Sequence, residues 1–276
     1  MKGIILAGGR ATRLMPLTKI TSKQLLPVYD KPMIYYPIET LRRAGIKDIL
    51  IIIAPDYSGQ FLNLLGSGKD FGVKFTYEIQ DQAKGLADAF LIAEKFIGDD
   101  SVTMILGDNI FFGHDFSDEI RNFKNGAMVF AKEVEDPQRY GVVEFDENMK
   151  AVSIEEKPQT PKSPYAIVGL YVYDSKVVSY AKSLKPSVRN ELEIVDLHNA
   201  YLRKNELKVN LINGYWEDAG TFESFYRANR LAREFALGLN GETPIFRSLE
   251  KPNAETKNIG SRVAGLGPCN GIGRVF

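Results

Sequence analysis

Short apolar runs alternate with helix-spaced segments along the first 110 positions of the chain. The segments that predict strands are 2–7, 49–54, 74–80 and 101–106. The segments whose apolar residues recur at helical spacing are 33–44, 57–65 and 85–96. Repeated strand–helix alternation predicts an α/β fold, with a mostly parallel, Rossmann-like central sheet and helices on both of its faces.

The pattern becomes rich in β-structure after residue 125. Further strands are predicted at 127–133, 141–145, 151–156, 167–173 and 209–212, and further helices at 177–184, 192–204 and 221–237. From Gly238 to Phe276 no period persists and Gly, Pro and Asn are frequent, which is typical of irregular structure. We therefore expect one domain over 1–237, with parts at about 1–125 and 126–237, followed by an irregular tail over 238–276.

Composition excludes several classes of protein. Lys+Arg and Asp+Glu number 35 each, so the net charge is 0 and no global basic field is available to hold nucleic acid or an anionic membrane. One Cys and two His exclude a Cys-rich zinc site and make a His-rich metal centre improbable. No apolar run has the length of a membrane helix, and the first residues lack a signal-peptide pattern. We expect a cytoplasmic protein.

Two polar motifs follow predicted parallel strands. Gly8-Gly9 comes directly after the first strand, and Asp108 follows the fourth. In parallel sheets the ligand crevice lies beyond the carboxyl ends of the strands, so both motifs are expected at one crevice. Glycines there let backbone N–H groups approach an anion, and Arg13 and Lys23 add cations suited to phosphate oxygens. The alternative is a tight turn followed by solvated basic residues.

Three acidic residues need a separate interpretation. Asp108 at a strand end suits Mg²⁺, which takes one or two protein carboxylates and completes its shell with water and phosphate. Asp218 is a second candidate ligand, or else the N-cap of the helix predicted from residue 221. Glu156, beside Lys157, belongs to a charged run that is usually a solvated surface.

Three motifs in the first 40 residues resemble the sugar-1-phosphate nucleotidylyltransferases. They are Leu6-Ala7-Gly8-Gly9-x-x-Thr12-Arg13-Leu14, Lys23-Gln24-Leu25-Leu26-Pro27 and Asp30-Lys31-Pro32-Met33-Ile34-Tyr35-Tyr36-Pro37. The similarity runs from Met1 to about Ala236 and, within the family, is strongest to the glucose-1-phosphate thymidylyltransferases. It implies an enzyme that joins dTTP to glucose 1-phosphate with Mg²⁺, forming dTDP-glucose and pyrophosphate. Residues 1–125 would then bind nucleotide and 126–237 the sugar.

The resemblance also implies a role for individual residues. Arg13 and Lys23 would be catalytic, and Asp108 and Asp218 would hold the metal ion. The nucleotide-binding positions would be Leu6, Gly8, Gly9, Ala11, Thr12, Gln80 and Gly85. The positions that bind the sugar phosphate would be Gly141, Glu156, Lys157, Ile167 and Arg189. Ala11 stands where the family usually has glycine, and Asn190 stands where it often does; we expect the Ala11 loop to function nevertheless.

Several functions remain open at this point. Thymine and uracil differ by one methyl, worth about 1–3 kcal/mol of discrimination, so a uridylyltransferase is an alternative. A non-catalytic nucleotide–sugar sensor would be expected to lose Lys23 or an acidic ligand, and this chain retains them. A glycosyltransferase usually has a D-x-D-like pair, where this chain has only Asp108-Asn109. We expect a homo-oligomer, either a dimer or a tetramer.

Overall fold

The computed structural model describes residues 1–9 and 11–239. Thirteen strands are present in that part of the chain: β1 Lys2–Ala7, β2 Pro27–Val28, β3 Lys31–Pro32, β4 Asp48–Ile53, β5 Lys74–Ile79, β6 Val102–Leu106, β7 Asn109–Phe112, β8 Ala127–Glu133, β9 Gly141–Phe145, β10 Ala151–Glu156, β11 Tyr165–Tyr173, β12 Leu207–Leu211 and β13 Tyr215–Asp218. Every predicted strand is confirmed. The short strands β2, β3, β7 and β13 were not predicted.

Eight α-helices accompany these strands in the described residues: α1 Tyr35–Arg43, α2 Ser58–Leu65, α3 Asp88–Ile92, α4 Glu94–Ile97, α5 Ser117–Arg121, α6 Val177–Ser183, α7 Ile194–Leu202 and α8 Phe222–Ala236. The helix predicted over 85–96 is wrong as a single element, because it divides into α3 and α4 at Ala93, whose φ of −83° and ψ of 2° leave the helical region. The longest of these helices has 15 residues, and none in the described chain is long and apolar enough to cross a membrane.

A nine-stranded sheet forms the centre of the molecule. Its main path runs β10-β9-β11-β6-β1-β4-β5, and β8 pairs with both β11 and β12. Strands β6, β1, β4 and β5 are parallel to one another, as the alternation of strands and helices predicts. Strand β11 is antiparallel to β6, β8 and β9 and so joins the parallel part of the sheet to the later strands.

The two faces of the sheet are covered by separate hydrophobic cores. Side chains alternate between faces along a strand, so Ile4 and Leu6 point into one core and Ile5 and Ala7 into the other. The first core includes residues of α3, α4, α6 and α7, and the second includes residues of α1, α2 and α5. Helices therefore pack on both faces, as predicted. This arrangement leaves the carboxyl ends of the parallel strands uncovered for a site.

The predicted tail over 238–276 falls, beyond Leu239, outside the described residues. The described chain continues after α8 with Leu237, which bonds back to Arg233 and Phe235 of the helix, and with Gly238 and Leu239.

His198 on α7 is completely buried in the first core. Its ring lies 5.1 Å from the ring of Tyr171 and 6.1 Å from that of Tyr173, measured between centroids. Neither ring nitrogen has a hydrogen-bond partner among the described residues. Burial disfavours the charged imidazolium and lowers the pKa of His198 from 6.5 to about 3. The folded protein therefore keeps this ring neutral.

We predict that His198 makes the protein less stable in mild acid. In the unfolded chain the imidazole binds a proton below about pH 6.5, whereas the folded chain resists it to about pH 3, so stability falls as the pH is lowered through that window. Between pH 7 and pH 5 the loss is about 2 kcal/mol. His198→Phe, which keeps an aromatic ring, should remove this difference in urea unfolding. If the free energy of unfolding falls equally between pH 7 and pH 5 in the wild type and in His198→Phe, the assignment is wrong.

Candidate active site

Gly8, Gln80 and Asp108 each follow the carboxyl end of a parallel strand, namely β1, β5 and β6. Strand β6 is next to β1, and β5 is separated from β1 only by β4, so the residues meet at one edge of the sheet. Gly8 and Gln80 are in close contact, because a Cβ on Gly8 would lie 2.7 Å from Gln80 Oε1. The glycine is thus required for the glutamine to turn its carbonyl across the end of β1.

Two adjoining cavities form a cleft at this edge. One has a volume of about 320 Å³ and contains most of the predicted residues: Leu6, Gly9, Arg13, Lys23, Gln80, Gly85, Asp108, Glu156, Lys157, Arg189 and Asp218. The other has a volume of about 260 Å³ and adds Gly141 and Ile167. Arg13, Glu156, Lys157 and Asp218 line both cavities, so charged groups occupy the junction between them.

Asp108 is bonded through both of its carboxylate oxygens. Oδ2 accepts a very short bond from Lys23 Nζ, and Oδ1 accepts one from Asn109 Nδ2 at 3.2 Å. Burial alone would raise the pKa of Asp108, but the Lys23 ammonium and these hydrogen bonds hold it below the usual range. Asp108 is therefore an ionised carboxylate inside the cleft.

Asp218 is brought beside Asp108 by an unpredicted two-stranded element. Strands β7 and β13 pair so that Asp218 lies opposite Asn109, and Ala219 N donates to Asp108 O at 2.9 Å. Burial, and after it the negative charge of Asp108, raises the pKa of Asp218 to about 6. These two strands show no periodicity in the sequence because each has only four residues.

Asp218 does not cap helix α8. The N-cap of that helix is Thr221, whose Oγ1 accepts from Ser224 N at 3.2 Å while Ser224 Oγ accepts from Thr221 N at 3.1 Å. This reciprocal arrangement is a capping box, with serine in the third position. The alternative interpretation of Asp218 as a cap is therefore wrong, and its carboxylate faces the cleft.

The basic residues on the sugar-phosphate side of the cleft are paired with carboxylates. Lys157 Nζ lies 3.0 Å from Glu156 Oε1. Arg189 Nη2 lies 2.9 Å from Glu193 and 3.4 Å from Glu156. Lys157 has a φ of 45°, a left-handed conformation that is uncommon for a residue with a side chain. Strained backbone of this kind clusters at binding sites, which supports a functional rather than a solvated role for Lys157.

The loop after β5 contacts the loop before α7. Gly85 has a φ of 99°, and a Cβ there would lie 2.3 Å from Leu192 O. Leu192 N donates to Lys84 O at 2.7 Å, and Ala87 N donates to Leu192 O at 3.1 Å. Only glycine satisfies both requirements, so Gly85 is fixed by this contact between loops as well as by its place in the cleft. The sequence did not indicate the partner loop.

Ala11 and Thr12 line a different cavity, of about 340 Å³, on the other side of the glycine loop. Ala11 adopts the left-handed conformation with φ 49° and ψ 39°, at a cost of about 1–2 kcal/mol relative to the right-handed form. The turn is held because Ala11 O accepts from Leu14 N at 3.1 Å and from Thr18 Oγ1 at 2.9 Å. Asn190, with φ 59°, likewise keeps a glycine-like turn, for which Asn is well suited.

Sequence reasoning missed several residues that line the cleft, among them Tyr171, Arg139 and Asn109. Tyr171, on β11, and Arg139, just before β9, line the smaller cavity. Asn109 Oδ1 accepts from Gly169 N at 2.9 Å and from Trp216 Nε1 at 2.6 Å, which fixes its amide group toward Asp108. The only sequence signal for Asn109 is its position directly after Asp108. Trp216 also lines the smaller cavity, where its ring lies 5.0 Å from that of Tyr140, measured between centroids.

The chain matches known proteins over most of its length. The family model for nucleotidyl transferases matches residues 2–234. The curated glucose-1-phosphate thymidylyltransferase of Neisseria meningitidis serogroup A is 55% identical over 233 residues, which cover 83% of this chain and 81% of that protein. The enzyme of the same name from Mycolicibacterium smegmatis is 51% identical over 241 residues, covering 86% and 84%.

Solved structures give the same result. A Bacillus anthracis protein described as a glucose-1-phosphate thymidylyltransferase, solved with sucrose, superposes with a TM-score of 0.81 at 51% identity, covering 85% of this chain and 96% of that one. A UDP-glucose pyrophosphorylase bound to UDP-glucose superposes with a TM-score of 0.74 at 26% identity, covering 84% and 98%. The fold, the charged cleft at the strand ends and these similarities together establish that the chain belongs to the nucleotidyl transferase family.

Proposed function

We propose that the protein transfers a thymidylyl group from dTTP to glucose 1-phosphate, forming dTDP-glucose and pyrophosphate. Curated relatives that are 47–55% identical carry the name of this activity. The observation that carries the proposal is the continuity of the cleft, in which charged side chains join the cavity at Gln80 to the cavity at Gly141. A base, a row of phosphates and a sugar fit these three regions in that order.

The reaction needs charge neutralisation more than proton transfer. A phosphate oxygen of glucose 1-phosphate attacks the α-phosphorus of dTTP in line, and the bond to pyrophosphate breaks. The attacking oxygen is already an anion, so no general base is required. Lys23 and Arg13 would hold the triphosphate, and Lys157 and Arg189 would neutralise the sugar phosphate. Cations fixed in a partly buried site stabilise developing negative charge without reorganisation.

Asp108 and Asp218 would hold Mg²⁺. The described residues contain no cluster of three or more His, Cys, Asp or Glu side chains suited to a metal. Two adjacent carboxylates nevertheless fit Mg²⁺, which commonly takes one or two protein carboxylates together with substrate phosphates. When bound, the ion would neutralise charge on the phosphates. The protein supplies the position of the two carboxylates through β6, β7 and β13.

Gln80 and Gly85 would face the base. Gln80 Nε2 donates to Asp88 Oδ2 at 3.0 Å, which fixes the amide group and leaves one N–H and a carbonyl oxygen for a pyrimidine edge. Glu156 would bind sugar hydroxyls, and the backbone at Gly141 and Ile167 would complete the sugar pocket. Leu6, Gly8 and Gly9 would contact the nucleotide, as would Ala11 and Thr12 through the loop. The 1–125 part thus serves the nucleotide and 126–237 the sugar.

A panel of dTTP and UTP against glucose 1-phosphate and other sugar 1-phosphates, assayed by pyrophosphate release, tests the function. We expect turnover to be fastest with dTTP and glucose 1-phosphate. Preference for UTP would identify the uridylyltransferase alternative, which the likeness to UDP-glucose pyrophosphorylase keeps relevant. A sensor would release no pyrophosphate with any pair. We also expect a cytoplasmic dimer or tetramer, which light scattering would distinguish from a monomer.

Lys23→Met should reduce turnover by about 100-fold or more, because it removes one preorganised cation from the phosphate region. Lys19→Met, which alters an exposed lysine in the same loop, is the matched control and should retain turnover. The measurement is kcat by pyrophosphate release, after circular dichroism has shown that both variants are folded. A kcat for Lys23→Met within threefold of the wild type would refute the assignment.

Asp218→Asn should raise the Mg²⁺ concentration that gives half-maximal activity, because an amide is a weaker ligand than a carboxylate for this ion. The matched control is Thr221→Ala, which removes the true N-cap of α8. The control should lower the free energy of unfolding by about 1 kcal/mol and leave the Mg²⁺ requirement unchanged. The two variants are compared by Mg²⁺ titration of activity and by urea unfolding. A shifted Mg²⁺ requirement in the control alone would argue against Asp218 as a ligand.

A further inference from the structure

Lys23 occupies the carboxylate oxygen of Asp108 that a metal ion would need. The ammonium group bonds to Oδ2, while Asn109 holds Oδ1. The Lys23 and Asp108 side chains are only 12% and 11% exposed, so water screens this pair poorly. The asparagine amide is fixed by two donors from other strands, whereas Lys23 reaches Asp108 through a flexible side chain. Of the two partners of Asp108, Lys23 is the one that can leave.

The charges at this end of the cleft balance without a metal ion. Asp108 and Asp218 contribute two negative charges, and Lys23 and Arg13 contribute two positive charges that act on them. A free divalent cation that bound here would first have to displace the Lys23 ammonium and would then be repelled by it. A triphosphate changes this balance because its oxygens attract both the ion and the lysine.

We propose that Lys23 is a resident counter-ion which keeps free divalent metal ions off Asp108 until a nucleoside triphosphate is bound. The inference rests on the proposed function, since it takes the triphosphate as the substrate. When a triphosphate and its metal ion are bound, the phosphate oxygens would accept hydrogen bonds from the Lys23 ammonium, and Asp108 would be free to hold the metal ion. Lys23 thus couples metal binding to nucleotide binding, in addition to its role in turnover.

The proposal predicts that a variant with reduced turnover binds free metal ions more tightly than the wild type. Lys23→Met removes the competing cation and leaves Asp108 and Asp218 with an excess of negative charge. Without nucleotide, the variant should bind Mn²⁺ about tenfold more tightly than the wild type, a factor within the range of typical coupled sites. Lys23→Arg retains the positive charge and should bind Mn²⁺ within about threefold of the wild type. Lys19→Met is the control for loss of a nearby lysine.

The experiment is a Mn²⁺ titration of the full-length protein and the three variants, with free Mn²⁺ followed by electron paramagnetic resonance. Thermal unfolding with and without Mn²⁺ is a second readout, in which Mn²⁺ should raise the Tm of Lys23→Met more than that of the wild type. Equal or weaker Mn²⁺ binding by Lys23→Met, with the variant folded, would overturn the proposal. Equally tightened Mn²⁺ binding by the control variant Lys19→Met would also overturn the proposal.

Failure of this inference differs from failure of the proposed function. Pyrophosphate release by the wild type with dTTP and glucose 1-phosphate depends on the function and not on where Lys23 rests in the free protein. If the wild type turns over while Lys23→Met binds Mn²⁺ no more tightly, only the inference is wrong. If the variant binds Mn²⁺ more tightly but no pair of substrates releases pyrophosphate, the competition between lysine and metal is supported and the proposed reaction is wrong.

Discussion

The site depends on the hydrogen bonds that hold Asn109, the first residue of β7, against the central strand β11 and Trp216 of β13. At Tyr171–Tyr173 β11 pairs with β6 and β8, but its register against β8 shifts between Ile167 and Tyr171. At this irregularity Gly169 N donates to Asn109 Oδ1 rather than continuing the regular ladder. Asn109 in turn orients Asp108. The strand that joins the two parts of the sheet therefore also helps to fix the position of the Asp108 carboxylate in the larger cavity.

Charges in the cleft are arranged in pairs that neutralise each other. Lys23 is bonded to Asp108, Lys157 lies beside Glu156, and Arg189 contacts Glu193. Buried charge without a partner is costly, and this applies most to Lys23 and Asp108, whose side chains are only 12% and 11% exposed. Under the proposed function, substrate phosphates would exchange for these carboxylate partners. The neutral overall composition of the chain is consistent with such local compensation.

The sequence predicted the parts of the molecule that local patterning determines. The buried strands β1, β4 and β6 are continuous apolar runs, and their order along the chain required a parallel sheet with a crevice at Gly8 and Asp108. It could not predict β13 or the break at Ala93. Four residues are too few to show a period, and no Gly or Pro marks the break between α3 and α4. The contact of Gly85 with Leu192 joins positions more than 100 residues apart, so the local sequence pattern could not predict it.

That contact couples the two ends of the cleft through main-chain hydrogen bonds. The loop that carries Gln80 and Gly85 is bonded by backbone groups of Lys84 and Ala87 to Leu192, which follows the loop that carries Arg189. Backbone bonds persist whatever side chains occupy these loops. A shift of the loop that carries Gln80 and Gly85 would therefore disturb the hydrogen bonds to Leu192 and, through them, the loop that carries Arg189. Under the proposed function, a new base specificity is more compatible with side-chain exchange on these loops than with movement of their backbone.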